Sequence, residues 1–238
     1  MALKPQIYKL VCEYRFKSSL LFYDVKNQIG NLLFHDYKHW TTDGLKIRLS
    51  NFENRSVLEF DHSRLTLEFD GLNSTEGFRT MFQRALKEYN QKLKIESYLR
   101  CGIRTQSMIP VEFKFNELVK ITQGKFFSQS PKLLEIVGDR VEDYMYNIIT
   151  EKDGYKLHIT CGPVKKEEIS KWYQPATVDT GPGEHPKEID YPDVAFFIDC
   201  DYYINDPKSN IAENFLDHGL NIVTSIPGNI AEYVLGEE

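Results

Sequence analysis

Asp199 and Asp201 flank Cys200 in the run Phe197-Ile198-Asp199-Cys200-Asp201-Tyr202. In an extended strand, residues i and i+2 point the same way, so the two carboxylates stand about 7 Å apart at Cα. Carboxylates at that spacing can hold Mg²⁺ for phosphoryl or nucleotidyl transfer, because a hard cation prefers oxygen ligands and bridges substrate phosphates. The plainer reading makes them the solvated side of an edge strand whose other side is Phe196, Ile198, Cys200 and Tyr202. That reading is preferred, because no element that would cradle a phosphate accompanies the pair. No GxxxxGK[ST] occurs, and Gly181-Pro182-Gly183 lacks the Lys and Ser or Thr of a phosphate loop. No cofactor is expected outside the Mg²⁺ reading.

Arg100 and Arg104 form a second pair, with Gly102 midway. On a strand both guanidinium groups share a side, and the glycine leaves room for a carboxylate or phosphate to reach both forks. The structural alternative is pairing with acids such as Glu13 or Glu59 on neighbouring strands, since Arg–carboxylate forks also lock elements together. His218, beside Asp217 in a helical pattern, is a weak general-base candidate and more simply a histidine at the edge of the core. His35 and His39 would share a helix side if the helix ran that far, but HExxH is absent because position 36 is Asp, so a solvated helix end is the better reading. No Ser, Cys and His set has the context of a nucleophile elbow, and hydrolase chemistry has no positive support.

The elements that must position these residues read as follows. Ile7–Phe16 alternates as a strand, and Phe22, Val25, Ile29, Leu32 and Leu33 mark a helix capped by Ser18 or Ser19. Strands at 45–49, 57–60 and 65–69 follow, then a helix capped by Asn73 or Ser74 with the stripe Phe78, Met81, Phe82, Ala85, Leu86 and Tyr89. The strand Tyr98–Met108 is expected to bulge at Gly102 and to stop at Pro110. Asn116–Phe127 reads as a helix and Pro131–Ile136 as a short one; strands at 140–150 and 155–161 turn at Asp153-Gly154, a pair that tolerates positive φ. Val194–Ile204 is a strand, and a final helix starts from Asp206-Pro207 and runs to about Ser225, with one more helical turn at most beyond Pro227. The connection 162–192 is longer than economy requires. Its Trp172, Tyr173, His185 and Tyr191 could anchor a partner-binding arm, with a disordered or crossover insertion as the alternative.

These elements predict an α+β fold: a single compact body, residues 1–238, of antiparallel sheet packed by helices. The order β-α-β-β-β-α over 5–92 is echoed over 93–226, although no residue-level repeat accompanies it, and a duplication and a coincidence of order both fit. The order resembles that of the TATA-binding-protein type of fold, which carries no function with it.

The chain has 29 Lys plus Arg against 35 Asp plus Glu, a net charge of −6, which argues against a general grip on nucleic acid. The distribution is uneven. Residues 1–92 carry 14 basic and 11 acidic side chains, whereas 184–238 carry only Lys187 and Lys208 against 12 acids. Any polyanion contact therefore falls to the first half, and requires Lys9, Arg15, Arg48 and Arg64 to share one face. Four cysteines without CxxC spacing read as reduced and buried, as in the cytoplasm. Neither a signal peptide nor an apolar run near the ~20 residues that span a bilayer is present, so no membrane association is expected.

Arg100-Cys101-Gly102-Ile103-Arg104, the strand Cys12–Phe16, the Asp-rich strand Phe197–Tyr203 and Phe215-Leu216-Asp217-His218 together resemble a sporadically distributed, uncharacterised bacterial family whose members read R-x-G-[LI]-R. The family continues with an aromatic residue, Ile and Asn where this chain has Thr105-Gln106-Ser107. The resemblance spans nearly the whole chain and implies a cytosolic accessory, mobile-element or defence-linked protein, without supplying an activity. The reading that follows is a non-enzymatic binding protein with a protein partner or a second copy of itself, using Arg100, Arg104, Trp172, Tyr173 and His185. The alternatives are a Mg²⁺-dependent phosphoryl-transfer or nucleotide-processing enzyme built on Asp199 and Asp201, and a nucleic-acid-binding protein using the basic first half.

Overall fold

A computed structural model of the protein describes residues 4–71, 74–127, 136, 141–172 and 190–236. Along the chain these form β1 (Gln6–Phe16), α1 (Leu21–Leu33) with a 3₁₀ turn (Phe34–Asp36), β2 (His39–Thr42), β3 (Lys46–Asn51), β4 (Ser56–Asp61), β5 (Arg64–Asp70) and α2 (Thr75–Leu93). The second half supplies β6 (Tyr98–Pro110), α3 (Phe115–Phe127), β7 (Tyr146–Lys152), β8 (Tyr155–Lys165), α4 (Lys166–Trp172), β9 (Val194–Asn205) and α5 (Ser209–Leu235).

All nine strands join one sheet in the order β2-β3-β4-β5-β1-β6-β9-β8-β7, antiparallel throughout. The two halves meet where β1 pairs with β6, Cys12 opposite Ile103. On either side of this seam lies the strand that precedes a long helix, β5 before α2 and β9 before α5, so the strand order is mirrored about the centre. Among the described residues, strand β2 has no counterpart on the far side.

Period-two alternation sends one set of side chains to each face. The even-numbered residues Leu10, Cys12, Tyr14 and Phe16 of β1 are buried under α1, α2 and α5, with Tyr14 ringed by Phe82, Tyr98 and Phe215 at 5.1, 5.2 and 6.1 Å. The Tyr14 hydroxyl donates to the Ala212 carbonyl of α5 at 3.0 Å. Under α3 and the end of α5, Ile109, Leu118, Phe196, Ile198, Ala231 and Val234 form a second apolar cluster. All four cysteines are free and buried; burial pushes the thiols of Cys101, Cys161 and Cys200 up to about 12 and raises that of Cys12 well above its ordinary value. Among the described residues no helix is long and apolar enough to cross a membrane.

Several expectations are corrected. The Asp-Gly turn has the predicted geometry, Asp153 at φ 55° and Gly154 at φ 81°, but its first strand begins at Tyr146 instead of Arg140. Gly102 sits in an unbroken ladder, opposite Glu13 and Tyr203, and the register shifts of the β1–β6 pair fall near its ends, at Ile7/Lys9 and Arg15/Phe16. The first of these turns Tyr8 to the opposite face from Leu10, where it joins Met108, Val164, Ile169, Ala195 and Phe197. Ser74 stands at the N-cap of α2 without a side-chain bond to the helix, and α1 also lacks one. Asp206 takes φ 45° outside the last helix, whose N-cap is Lys208.

That helix, α5, continues through Pro227 to Leu235, 27 residues in all. Proline has no N–H for the carbonyl four residues earlier, here Val223. The buried Thr105 hydroxyl donates to that carbonyl at 3.0 Å and replaces the missing bond, which lets the helix run on. The expected short helix at 131–136 lies outside the described residues apart from position 136.

Candidate functional site

The helices cover one face of the sheet and leave the other open across its central strands. Its composition follows from the ladder register, because residues directly opposite share a face. Val11 lies between Glu68 and Arg104, Glu13 between Thr66 and Gly102, Arg104 opposite Asp201, and Asp201 opposite His158. The two pairs singled out from sequence therefore meet, on adjacent strands β6 and β9, and form one network. Strand β9 lies between β6 and β8, so the expectation of an edge strand is corrected.

Arg104 grips Asp199 with a two-pronged fork: Nε donates to Oδ1 at 2.7 Å and Nη2 to Oδ2. Gln106 Nε2 adds a third bond to Asp199 Oδ2 at 3.2 Å. These contacts leave the Asp199 side chain 13% exposed, while that of Arg104 stays 51% exposed. The bond to Asp199 holds the Arg104 guanidinium above its ordinary pKa. Arg100 Nη2 donates to Asp201 Oδ2 at 3.2 Å, and its guanidinium lies 4.2 Å from the centre of the Tyr203 ring. Burial raises the Asp201 carboxyl above its usual range, opposed by the positive charges of Arg100 and then Arg104. Gly102 serves this stacking: a Cβ there would stand 3.3 Å from Arg100 Nε and 3.4 Å from Tyr203 Cβ. Arg100 Nε is buried without an acceptor.

The partners anticipated for the arginines, Glu13 and Glu59, serve other cations on the same face. Glu13 accepts from Arg15 Nε at 2.7 Å and lies 3.6 Å from Arg64, while Arg64 also bonds Glu59 at 3.1 Å. Lys9 pairs with Glu68, and Arg48 approaches Glu59 at 3.9 Å. Lys9, Arg15, Arg48 and Arg64 thus share one face, as nucleic-acid binding would require, yet each is matched by a carboxylate. The lattice alternates in sign instead of building a positive field.

At one end this face is closed by Ile169 of α4 and by Tyr191, packed on Tyr8 with ring centres 5.5 Å apart. Lys166 at the start of α4 and Asp190 on the approach to β9 form an ion pair at 3.1 Å. The expected arm therefore leaves and returns at the rim of the open face. Its first residues 162–172 belong to β8 and α4, Trp172 being the last residue of that helix. Tyr173 and His185 lie outside the described residues.

His218 is on the opposite, covered side, where its Nε2 lies 2.9 Å from the Tyr202 hydroxyl and its ring 5.4 Å from that of Tyr155. It cannot act with Asp199 and Asp201 on one substrate atom. His35 falls in the 3₁₀ turn and His39 opens β2 opposite Ser50, so the two are not on one helix side. Among the described residues no three His, Cys, Asp or Glu side chains gather as a metal-ligand group. No protein-family model matches the chain, and no curated protein matches it.

Proposed function

We propose that this is a non-enzymatic binding protein whose contact surface is the open face at β1, β6 and β9, and whose partner is another protein. The observation that carries this reading is the fixed lattice of charges there: carboxylates held low in the surface by hydrogen bonds, with the half-exposed heads of Arg15 and Arg104 projecting above them. Ion pairs set in a rigid sheet select a partner by complementary pattern, and contribute to specificity and encounter rate more than to raw affinity. The balance of signs disfavours DNA and RNA, which require unneutralised cations. A Mg²⁺ site on Asp199 and Asp201 would require both carboxylates to give up Arg104, Gln106 and Arg100. The rim position of the 162–192 connection supports its role as an arm beside this surface, and the resemblance to a sporadic bacterial family supports an accessory role.

Photo-crosslinking in cells separates the readings. A benzophenone side chain at Arg15 or His158 on the open face is expected to capture a discrete protein, and one at Gln83 on α2 to capture none. Equal capture from both faces, or none from either, would overturn the proposal. A thermal shift with Mg²⁺ plus nucleotide that vanishes in Asp199→Asn would favour the phosphoryl-transfer reading instead.

A further inference from the structure

The covered side of the sheet is not filled to its end. Between the first turn of α2 and the part of α5 around Pro227 it opens into a cleft of about 1260 Å³. Its walls come from distant stretches of chain: the lead into β1, the β3–β4 turn, the end of β5, the start of α2, β6 and α5. Ile7, Phe69, Met81 and Pro227 give it an apolar side, and Lys4 and Arg55 bring two cations to its rim.

Three observations point to an anionic occupant. Helix α2 is 19 residues long and begins in this cleft, and its N-cap residue Ser74 makes no side-chain bond to the first N–H groups, which carry the positive end of the helix dipole. Arg55, held at φ 54° in the tight turn before β4, has no carboxylate within ion-pair distance among the described residues, and neither has Lys4. The one acid among the lining residues, Glu53, is already neutralised by Lys38 at 2.6 Å. The third is Ser107, on the wall formed by β6: it is 0% exposed, and its Oγ has no hydrogen-bond partner among the described residues. A buried hydroxyl left without a partner carries a desolvation cost that a ligand's polar group would remove. Its neighbour on the same side of the strand, Thr105, faces α5 and uses its hydroxyl on Val223, so Ser107 extends the same row toward the cleft.

We infer that this cleft binds an organic phosphate of about nucleotide size. The phosphate sits at the start of α2 between Lys4 and Arg55, the apolar or aromatic body lies against Ile7, Phe69, Met81 and Pro227, and a polar group of that body reaches Ser107 Oγ. Two cations and a helix end match the charge of a phosphate monoester. The volume far exceeds that of a bare ion, and the apolar wall would remain wet if inorganic phosphate alone were bound. Tyr8 lines the cleft and also packs on Tyr191 at the end of the open face, so the two sites adjoin there, while Arg104 and Asp199 lie outside the cleft.

Gly77, in the first turn of α2, lines the cleft and has nothing within 4 Å of where a Cβ would stand. Gly77→Glu places a carboxylate where the helix dipole favours it, so the fold is retained while the site becomes repulsive to phosphate. Isothermal titration of the full chain should be run with adenosine, guanosine and uridine 5′-monophosphates, the parent nucleosides and inorganic phosphate. At least one monophosphate is expected to bind tenfold or more tightly than both its nucleoside and inorganic phosphate. Gly77→Glu should weaken it at least tenfold with an unchanged or higher melting temperature, Ser107→Ala should weaken it several-fold, and Arg104→Gln on the open face should leave it unchanged. If none of the monophosphates binds more tightly than inorganic phosphate, or if Gly77→Glu binds within threefold of the parent, the inference fails.

Discussion

The two faces of the sheet are made from the same strands, residue by alternate residue, yet they hold together by different means. On the covered face, contacts are apolar and aromatic, and two of its few polar groups satisfy particular backbone atoms, Tyr14 the Ala212 carbonyl and Thr105 that of Val223. The open face is held by charges bonded to one another in a plane that water still reaches. Burial makes the first face the seat of stability, while partial exposure makes the second a pattern whose energy is largely cancelled by hydration. A surface of that kind can change its charges at small cost to the fold, which suits recognition.

Four substitutions test this contrast. Phe82→Ala, which empties the space against Tyr14 and Phe78, is expected to cost about 3–5 kcal/mol in denaturant unfolding. A loss near that of an open-face change would mean that the covered face is loosely packed. Thr105→Val should cost about 1–3 kcal/mol, because the Val223 carbonyl loses the donor that replaces the missing helix bond. In a Pro227→Ala background, where the helix N–H is restored, that cost should shrink by more than half; an unchanged cost would separate Thr105 from the proline.

Asp199→Asn leaves Arg104 with a weaker acceptor and should cost about 1–2 kcal/mol, less than either core change because Arg104 is half in water. Asp201→Asn should lie within about 0.5 kcal/mol of the parent at pH 7. The sign follows from the raised pKa. A carboxyl that holds its proton more tightly when folded contributes stability that is complete below its unfolded pKa, near 3.8, and lost as pH rises through the folded value. The uncharged asparagine escapes that loss, so the variant should be at least as stable as the parent at neutral pH and should forfeit any advantage below about pH 4. A large destabilisation at pH 7 would show that Asp201 is held by its arginine far more strongly than burial opposes it.

Much of the fold was legible because its strands alternate cleanly and its helices carry regular stripes. Strand β2 was missed because it is four residues long, polar and at the sheet's edge, with Trp40 60% exposed, so no apolar face marks it. The length of α5 was missed because Pro227 signals a stop locally, and the hydroxyl that cancels that signal lies 118 residues before the Val223 carbonyl it bonds. Arg100, Arg104, Asp199 and Asp201 were found, but as two sites, since which strands lie side by side is a property of the whole sheet. The lead-in cleft has no local motif at all. Its one trace in the sequence is Gly77, a poor helix former exposed in the first turn of α2.

The seam between β1 and β6 joins residues about ninety positions apart, and the Tyr14 hydroxyl waits for a carbonyl 198 residues downstream. During synthesis, the first half leaves the ribosome with β1 as a raw sheet edge, its inner aromatics without α5 to cover them. At about 5–20 residues per second, that exposure lasts on the order of ten seconds, a window in which two nascent chains on neighbouring ribosomes can pair through β1 instead of each closing on its own β6. Helix α5 is thus also the latch that ends the risk, and truncations that remove it should yield aggregates before they yield a smaller folded protein.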